Sequence, residues 1–303
     1  MSAMIALVLP LALTAILPGG WQDAPCWVAD AAARGDRVLL LCDQQRIFRS
    51  DGGEPWREFR LPSGSRLRAI AALSRDRVFI AGDDATLLSS SDGGASWRAV
   101  PVPTTEHLRS IHFAGPKGWI AGWGGVILHS ADNGEHWTAQ TSGTTVSLES
   151  VFFADEKHGW CAGWNGAILR TEDGGEHWTI VRSAAATWSL NAIYFRDPLN
   201  GWAVGILGQV IRSRDGGKTW EKIDTGSRRA FQSISFDASG RGWISGGDQV
   251  LVSADGGESW TAQELGVRRF VERFLATTDS LWAVGPSGML RIEKFSVGGP
   301  PQT

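Results

Sequence analysis

An excess of positive charge, tyrosine, cysteine and helical periodicity are all scarce in this chain of 303 residues, and each scarcity closes off a class of function. With 29 Lys and Arg against 32 Asp and Glu, the formal net charge is −3, and no bulk positive charge is available to draw nucleic-acid phosphates. Three cysteines, Cys26, Cys42 and Cys161, allow at most one internal bridge, which excludes a disulfide-built scaffold. Six histidines without ligand spacing, and no suitably placed cysteine pair, give no metal centre, and no cofactor is expected. No phosphate-binding loop or nucleophile elbow is present. The single tyrosine, Tyr194, lies between Ile193 and Phe195 with no acidic neighbour beside it.

Long apolar runs are equally rare. Met4 to Leu17 is uncharged over 14 residues, short of the about 20 that cross a bilayer. It has the length of a secretory signal but no Lys or Arg before it. Residues 1–20 are therefore expected to be either a signal peptide or a strand that closes the fold, with 21–298 as the folded body and 299–303 as a tail. Cys26 and Cys42 flank Arg34-Gly35-Asp36 almost symmetrically, so a hairpin there would let them face each other.

Glycine and tryptophan are abundant, at 38 and 16, and both recur in register. Asp-x-Gly-x-x-Trp begins at Asp51, Asp92, Asp132, Asp173, Asp215 and Asp255, with a Ser or Thr two residues earlier in all but the first, which has Arg49. A second slot, Gly118-Trp119, Gly159-Trp160, Gly201-Trp202 and Gly242-Trp243, keeps the same period, with Leu281-Trp282 a weaker copy. Asp36-Arg37-Val38 and Asp76-Arg77-Val78 are assigned to that slot in the first two units. Before each slot runs an apolar alternation such as Leu108-x-x-Ile111-x-Phe113, and after it another such as Val126-Ile127-Leu128. Four short strands per unit of about forty residues, repeated in tandem, predict an all-β fold, a β-propeller of seven four-stranded antiparallel blades. The last unit stops after Met289-Leu290-Arg291-Ile292 without an Asp motif. Either a strand near Thr14 to Gly20 completes it or it keeps three strands.

The repeated aspartates fit a structural role. Each sits at a tight corner, where a short carboxylate accepts backbone N–H groups and the next glycine takes a positive φ. A catalytic carboxylate has no reason to recur six times around a ring, so no catalytic residue is assigned.

Asp-x-Gly-x-x-Trp with its Ser or Thr is the Asp-box, or bacterial neuraminidase repeat. Coupled to Gly159-Trp160-Cys161-Ala162-Gly163-Trp164-Asn165-Gly166-Ala167-Ile168, it resembles the photosystem II stability/assembly factor family over about residues 26 to 295. That resemblance implies a seven-bladed, exported or lumenal, non-enzymatic protein that binds a protein partner, such as a membrane-complex subunit, at the cell envelope or a thylakoid-type membrane. It further implies a monomer without a membrane span once the signal is removed. The chain departs from photosynthetic members in its Arg-free leader and in lacking a lipobox before Cys26.

Activity must then come from places where the copies differ. Loops entering the innermost strands carry Arg66, Arg68, Arg109, Trp188, Arg228, Arg229, Arg268 and Arg269, and Trp123 and Trp164 should share their face. Arg and Trp are the side chains most enriched at binding hot spots, and collected positive charge would steer an acidic partner. Arg49, Arg170, Arg212 and Arg291, with His129, form an alternative patch, one per third strand, resembling the arginine-rich surface for which the family is known. The rival class is a glycan-binding or glycoside-hydrolysing Asp-box propeller. It would need paired carboxylates, for which Glu106, Glu149 and Glu272 lie near inner strands, the latter two at equivalent positions.

Overall fold

The computed structural model describes residues 26–42, 45–52, 54–62, 64–182, 188–263, 270–276, 280–285 and 288–293. Six sheets have four strands each, antiparallel and connected in sequence order from the innermost outward. The innermost strands are Val28–Arg34, Leu67–Ala72, Leu108–Ala114, Leu148–Phe153, Leu190–Phe195 and Ser233–Phe236. A further sheet consists of Arg273–Ala276, Ser280–Gly285 and Gly288–Glu293. Of the seven four-stranded blades expected, six are thus present as such, and the last unit has three strands among the described residues. That unit carries no Asp motif. The segments 1–20 and 299–303, including the suggested closing strand, lie outside the described residues.

Neighbouring innermost strands touch in cyclic order, the last one against the first, so the sheets form a closed ring around a central channel. Asp30 seals the junction. It is buried, receives the backbone N–H groups of Ala31 at 2.7 Å and Ile70 at 2.9 Å, and pairs with Arg273 Nε at 2.7 Å. Burial pushes its carboxyl upward, while Arg273 and the two N–H groups pull it back. Cys26 and Cys42 are joined in a disulfide beside the same junction.

Between blades, the two repeated tryptophan slots prove to be parts of one aromatic chain. Trp160, on the second strand of blade 4, stacks on Phe195 of blade 5 at 3.5 Å between centroids and 5° between planes. Phe195 in turn meets Trp220 of its own Asp motif edge-on at 5.8 Å. The Trp160 indole N–H donates to Gly216 O at 2.9 Å, in the Asp corner of blade 5. Trp119 and Trp202 repeat this with Phe153 and Gly174 O, and with Phe236 and Gly257 O. Gly217 leaves room for the indole: a Cβ there would lie 2.7 Å from Trp160 Nε1, and its φ of +81° suits glycine alone.

The strand ladder corrects one assignment. Gly118 pairs with Ser130 and Trp119 with His129, whereas Val78 pairs with Ser90 and Phe79 with Ser89. In the first blade Val38 pairs with Ser50 and Leu39 with Arg49. The slot in the first two blades is therefore Val38-Leu39 and Val78-Phe79, one residue later than Asp-Arg-Val placed it. Phe79 takes the tryptophan's part against Phe113 at 4.9 Å.

The corners behave as the repeat implies. Asp215 Oδ1 accepts from Ser213 Oγ at 2.8 Å and from the Thr219 N–H at 2.9 Å, while Ser213 Oγ accepts the Gly217 N–H at 2.8 Å. Asp92, Asp132, Asp173 and Asp255 are held in the same way. Asp51, preceded by Arg49 rather than Ser, is held instead by Arg37 and Arg49. The Ser96 side chain and backbone bring Asp92 down to about 2. At Asp173, Asp215 and Asp255 partial burial opposes ionisation, but the corner's hydrogen bonds outweigh it and these also fall to about 2. Carboxyls lowered in the folded state contribute stability above their unfolded value near 3.8 that is lost as pH falls through about 2. Thermal midpoints should thus fall in two stages, from about pH 6.5 to 4 because burial lowers His112 to about 4 and it resists protonation, and from about pH 4 to 2 as the corners lose their charge. Asp215→Ala should make the second drop shallower, as differential scanning calorimetry across the range would record.

Candidate functional site at the channel mouth

One position per innermost strand faces the channel mouth, immediately after the apolar residue that anchors the strand. Reading round the ring, these are Ala29, Arg68, Arg109, Glu149, Asn191, Gln232 and Glu272, and all seven line one open cavity of about 850 Å3. Trp27, Trp123, Trp164, Arg66 and Arg273 also line it. The anchors before them, among them Leu67, Leu108, Leu148, Leu190, Phe231 and Val271, are buried, which obliges the next side chain to leave the core at the mouth. Trp123 and Trp164 open the short turns Trp123–Gly125 and Trp164–Gly166 between second and third strands, with Gly124 and Asn165 at positive φ. The indoles lie 6.0 Å apart, and His107 sits edge-on to Trp123 at 4.5 Å.

Sequence reasoning predicted a positive patch here; the structure brings the arginines together but finds most of them already compensated. Arg68 forms a two-point pair with Asp83 at 2.8 and 2.7 Å and holds that carboxyl below its ordinary range. Arg109 reaches Glu149 Oε2 at 2.8 and 2.7 Å, and the Trp164 indole donates to Glu149 Oε1 at 2.7 Å. Arg229 faces Asp248 at 3.3 Å, and Arg273 is held by Asp30. Arg66 and Arg228 are exposed and make no ion pair among the described residues.

Apolar surface is also exposed on this face. Among the described residues six large apolar side chains are exposed; of these Trp27 at 57% and Trp164 at 45% line the cavity, whereas Leu207 at 58% and Phe270 at 47% do not. Leu207 occupies the turn Ile206–Gly208, the blade 5 counterpart of the tryptophan turns, and Phe270 stands beside Gly247.

Other expected site residues fall elsewhere. Trp188 packs against the core between blades 4 and 5, carries Arg182 over its ring at 4.5 Å and does not line the cavity. Arg268 and Arg269 lie outside the described residues, as does the side chain of Arg291. The alternative patch is not an open surface: Arg49, Arg170 and Arg212 have side-chain exposures of 13, 15 and 6%. Arg212 crosses to Glu258 in the next blade and lies over Trp202, and Arg49 reaches Asp92 O and Gly93 O of the next corner. Arg170 pairs with Glu172. These arginines cover inter-blade seams, as long cationic side chains do on apolar surfaces. Tyr194 sits among rings of neighbouring blades, Phe152 at 5.0 Å and Phe236 at 5.4 Å, and its hydroxyl is pushed up by burial. Glu149 and Glu272 share the cavity wall, whereas Glu106 is exposed beside Gly124. Trp27, Asn191, Gln232 and Arg273 were not singled out from sequence, although for Asn191 and Gln232 the signal, a polar residue directly after each strand anchor, was there to read.

Fold and mouth together define a β-propeller whose repeated residues build the ring and whose variable ones collect at one end of the channel. A family model for the photosystem II assembly factor YCF48 matches residues 49–146 and 182–270, more than half of the chain. The chain belongs to that family. No curated protein sequence matches significantly. Among solved structures, YCF48 from Cyanidioschyzon merolae is 17% identical, with 91% of this chain and 99% of that one covered and a TM-score of 0.72. Virginiamycin B lyase from Staphylococcus aureus is 12% identical over 91% and 97% of the two chains, with a TM-score of 0.77. A structure of YCF48 bound to D1 peptide is 20% identical over 82% and 98%, with a TM-score of 0.46. At such identities the likeness to solved structures concerns fold.

Proposed function

We propose that this protein is a non-catalytic scaffold that docks a protein subunit of a membrane complex at the channel mouth during assembly of that complex. It would act outside the cytoplasm, at the cell envelope or on the lumenal side of a thylakoid-type membrane, as a monomer. The observation that carries the reading is the pair of exposed indoles, Trp27 and Trp164, on the wall of a mouth whose charges are largely paired. Family membership supports an assembly role, and the Cys26–Cys42 disulfide supports an oxidising compartment. In place of the electrostatic steering expected from sequence, docking here would rest on desolvated aromatic anchors, the commonest hot-spot residues. A hydrolytic role is disfavoured because Glu149 is occupied by Arg109 and the Trp164 indole.

Affinity capture from detergent-solubilised membranes tests this. Trp27→Ala/Trp164→Ala should reduce recovery of a complex subunit about tenfold or more, as expected for hot-spot residues. Raising the salt from about 50 to about 300 mM should change recovery only about threefold or less, since little unpaired charge is left to screen. Equal recovery by the double variant, or a collapse with salt, would remove the aromatic docking surface.

A further inference from the structure

The mouth is chemically lopsided, and its two halves suit different groups of a docked chain. On blades 2 to 4 every inner-strand charge is spent: Arg68 on Asp83, Arg109 on Glu149. On blades 5 to 7 and back to blade 1, the wall carries Asn191, Gln232, Glu272 and Arg273, then Trp27 and Ala29 with Cys42 and Gln45. The Asn191 amide N–H donates to Phe231 O at 2.8 Å, which leaves its oxygen as the free acceptor. The Glu272 backbone N–H donates to Val284 O at 2.9 Å, whereas its carboxylate makes no hydrogen bond or ion pair with any described residue. It is half-buried, and loss of water pushes its carboxyl up, offset only in part by Arg273. Arg273 is engaged by Asp30, so among the described residues the Glu272 carboxylate has no direct counter-charge. The remaining unpaired cation on the wall, Arg66, is exposed on the loop entering blade 2, where water screens it more strongly than the half-buried Glu272.

We propose that this arc is a receptor for a basic side chain, lysine or arginine, of the docked polypeptide, with Glu272 as its counter-charge. A carboxylate withdrawn from water without a partner is costly, and a cation with several N–H donors offsets that cost. The neighbouring amides offer further acceptors, and the exposed face of Trp27 suits an ammonium or guanidinium group by cation–π attraction. The inference rests on the docking reading above and adds the chemistry of one contact. It also assigns work to Glu272 that differs from that of its structural equivalent Glu149, which is closed off by Arg109.

The probes are three capped tripeptides, acetyl-Gly-Lys-Gly-amide, acetyl-Gly-Arg-Gly-amide and the neutral acetyl-Gly-norleucine-Gly-amide, titrated into the full chain. The readouts are the Trp27 indole N–H and the Glu272 carboxyl carbon by NMR. Saturable shifts with a Kd on the order of 1 mM are expected for the two basic peptides, with binding about tenfold weaker or absent for norleucine. Glu272→Gln, with its urea midpoint checked against wild type, should weaken the basic peptides by about tenfold, and Glu106→Gln should leave them unchanged. Binding of norleucine equal to that of lysine, unaltered binding by Glu272→Gln, equal loss in both variants, or no saturable shift with any peptide would each overturn the proposal. If Trp27→Ala/Trp164→Ala abolishes subunit capture while Glu272→Gln binds the peptides like wild type, docking at the mouth stands and the basic-residue contact falls.

Discussion

Replacing Trp160 by alanine is expected to destabilise the protein by about 3–5 kcal/mol, the range for emptying a buried tryptophan site. The side chain is 1% exposed, stacks on Phe195 and donates its indole N–H to Gly216 O. Its removal leaves a cavity between two blades and strands a carbonyl in the next Asp corner. Collapse cannot heal the gap, because Phe195 is itself fixed edge-on against Trp220. Trp160→Phe keeps most of the apolar contact and loses the hydrogen bond, so it should cost only about 1–2 kcal/mol. Urea unfolding of both variants checks the pair; a loss under about 1 kcal/mol for the alanine variant would mean that the seam does not depend on this stack. The same substitution in Trp164, exposed at the mouth, should leave stability within about 1 kcal/mol while weakening partner capture, which separates the two kinds of tryptophan.

Asp30→Ala is the second large expected effect, a loss of about 2–4 kcal/mol. Two buried N–H groups, of Ala31 and Ile70, lose their acceptor, and each unsatisfied group costs about 1–3 kcal/mol. Arg273 loses its partner as well, but its side chain is 44% exposed and water recovers part of that contact. For comparison, the exposed pair Arg229–Asp248 should contribute about 0–1 kcal/mol. Because Asp30 joins the first innermost strand to the last, the variant should open the ring at that seam before global unfolding. Hydrogen exchange would show this as faster exchange in Val28–Arg34 and Arg273–Ala276 than in Leu148–Phe153. Uniform acceleration over all three strands would argue against a closure role.

Much of the architecture could be read directly from the chain because each repeated residue solves a problem within its own forty-residue unit. Ser213, Asp215, Gly217 and Thr219 meet within a single turn, so their spacing is their geometry. The one slip in the second slot, at Asp36-Arg37-Val38 and Asp76-Arg77-Val78, arose where the marker glycine and tryptophan are replaced and only ladder register identifies Leu39 and Phe79. The candidate site was less legible. Arg68 and Arg109 looked like free positive charge because their partners come from elsewhere: Asp83 across a hairpin, and Glu149 from the next blade, 40 residues on. Trp123 and Trp164 were placed at the mouth correctly, because strand count alone sets which end of a blade a turn occupies. Trp188 does not line the cavity, because a loop's position in the chain does not say whether its ring turns inward to pack.

The amino-acid order by itself determined the repeating strand pattern, the Asp corners and the alternation that buries each strand's anchor, all consequences of short-range hydrogen bonding and of the two-residue period of a strand. Only the closed ring decided which charges cancel, that Asp30 meets Arg273, and that Trp27, Asn191, Gln232 and Glu272 share one wall. Those outcomes depend on which blades become neighbours and on how far water is excluded between them. Both are properties of the assembled surface rather than of any single unit.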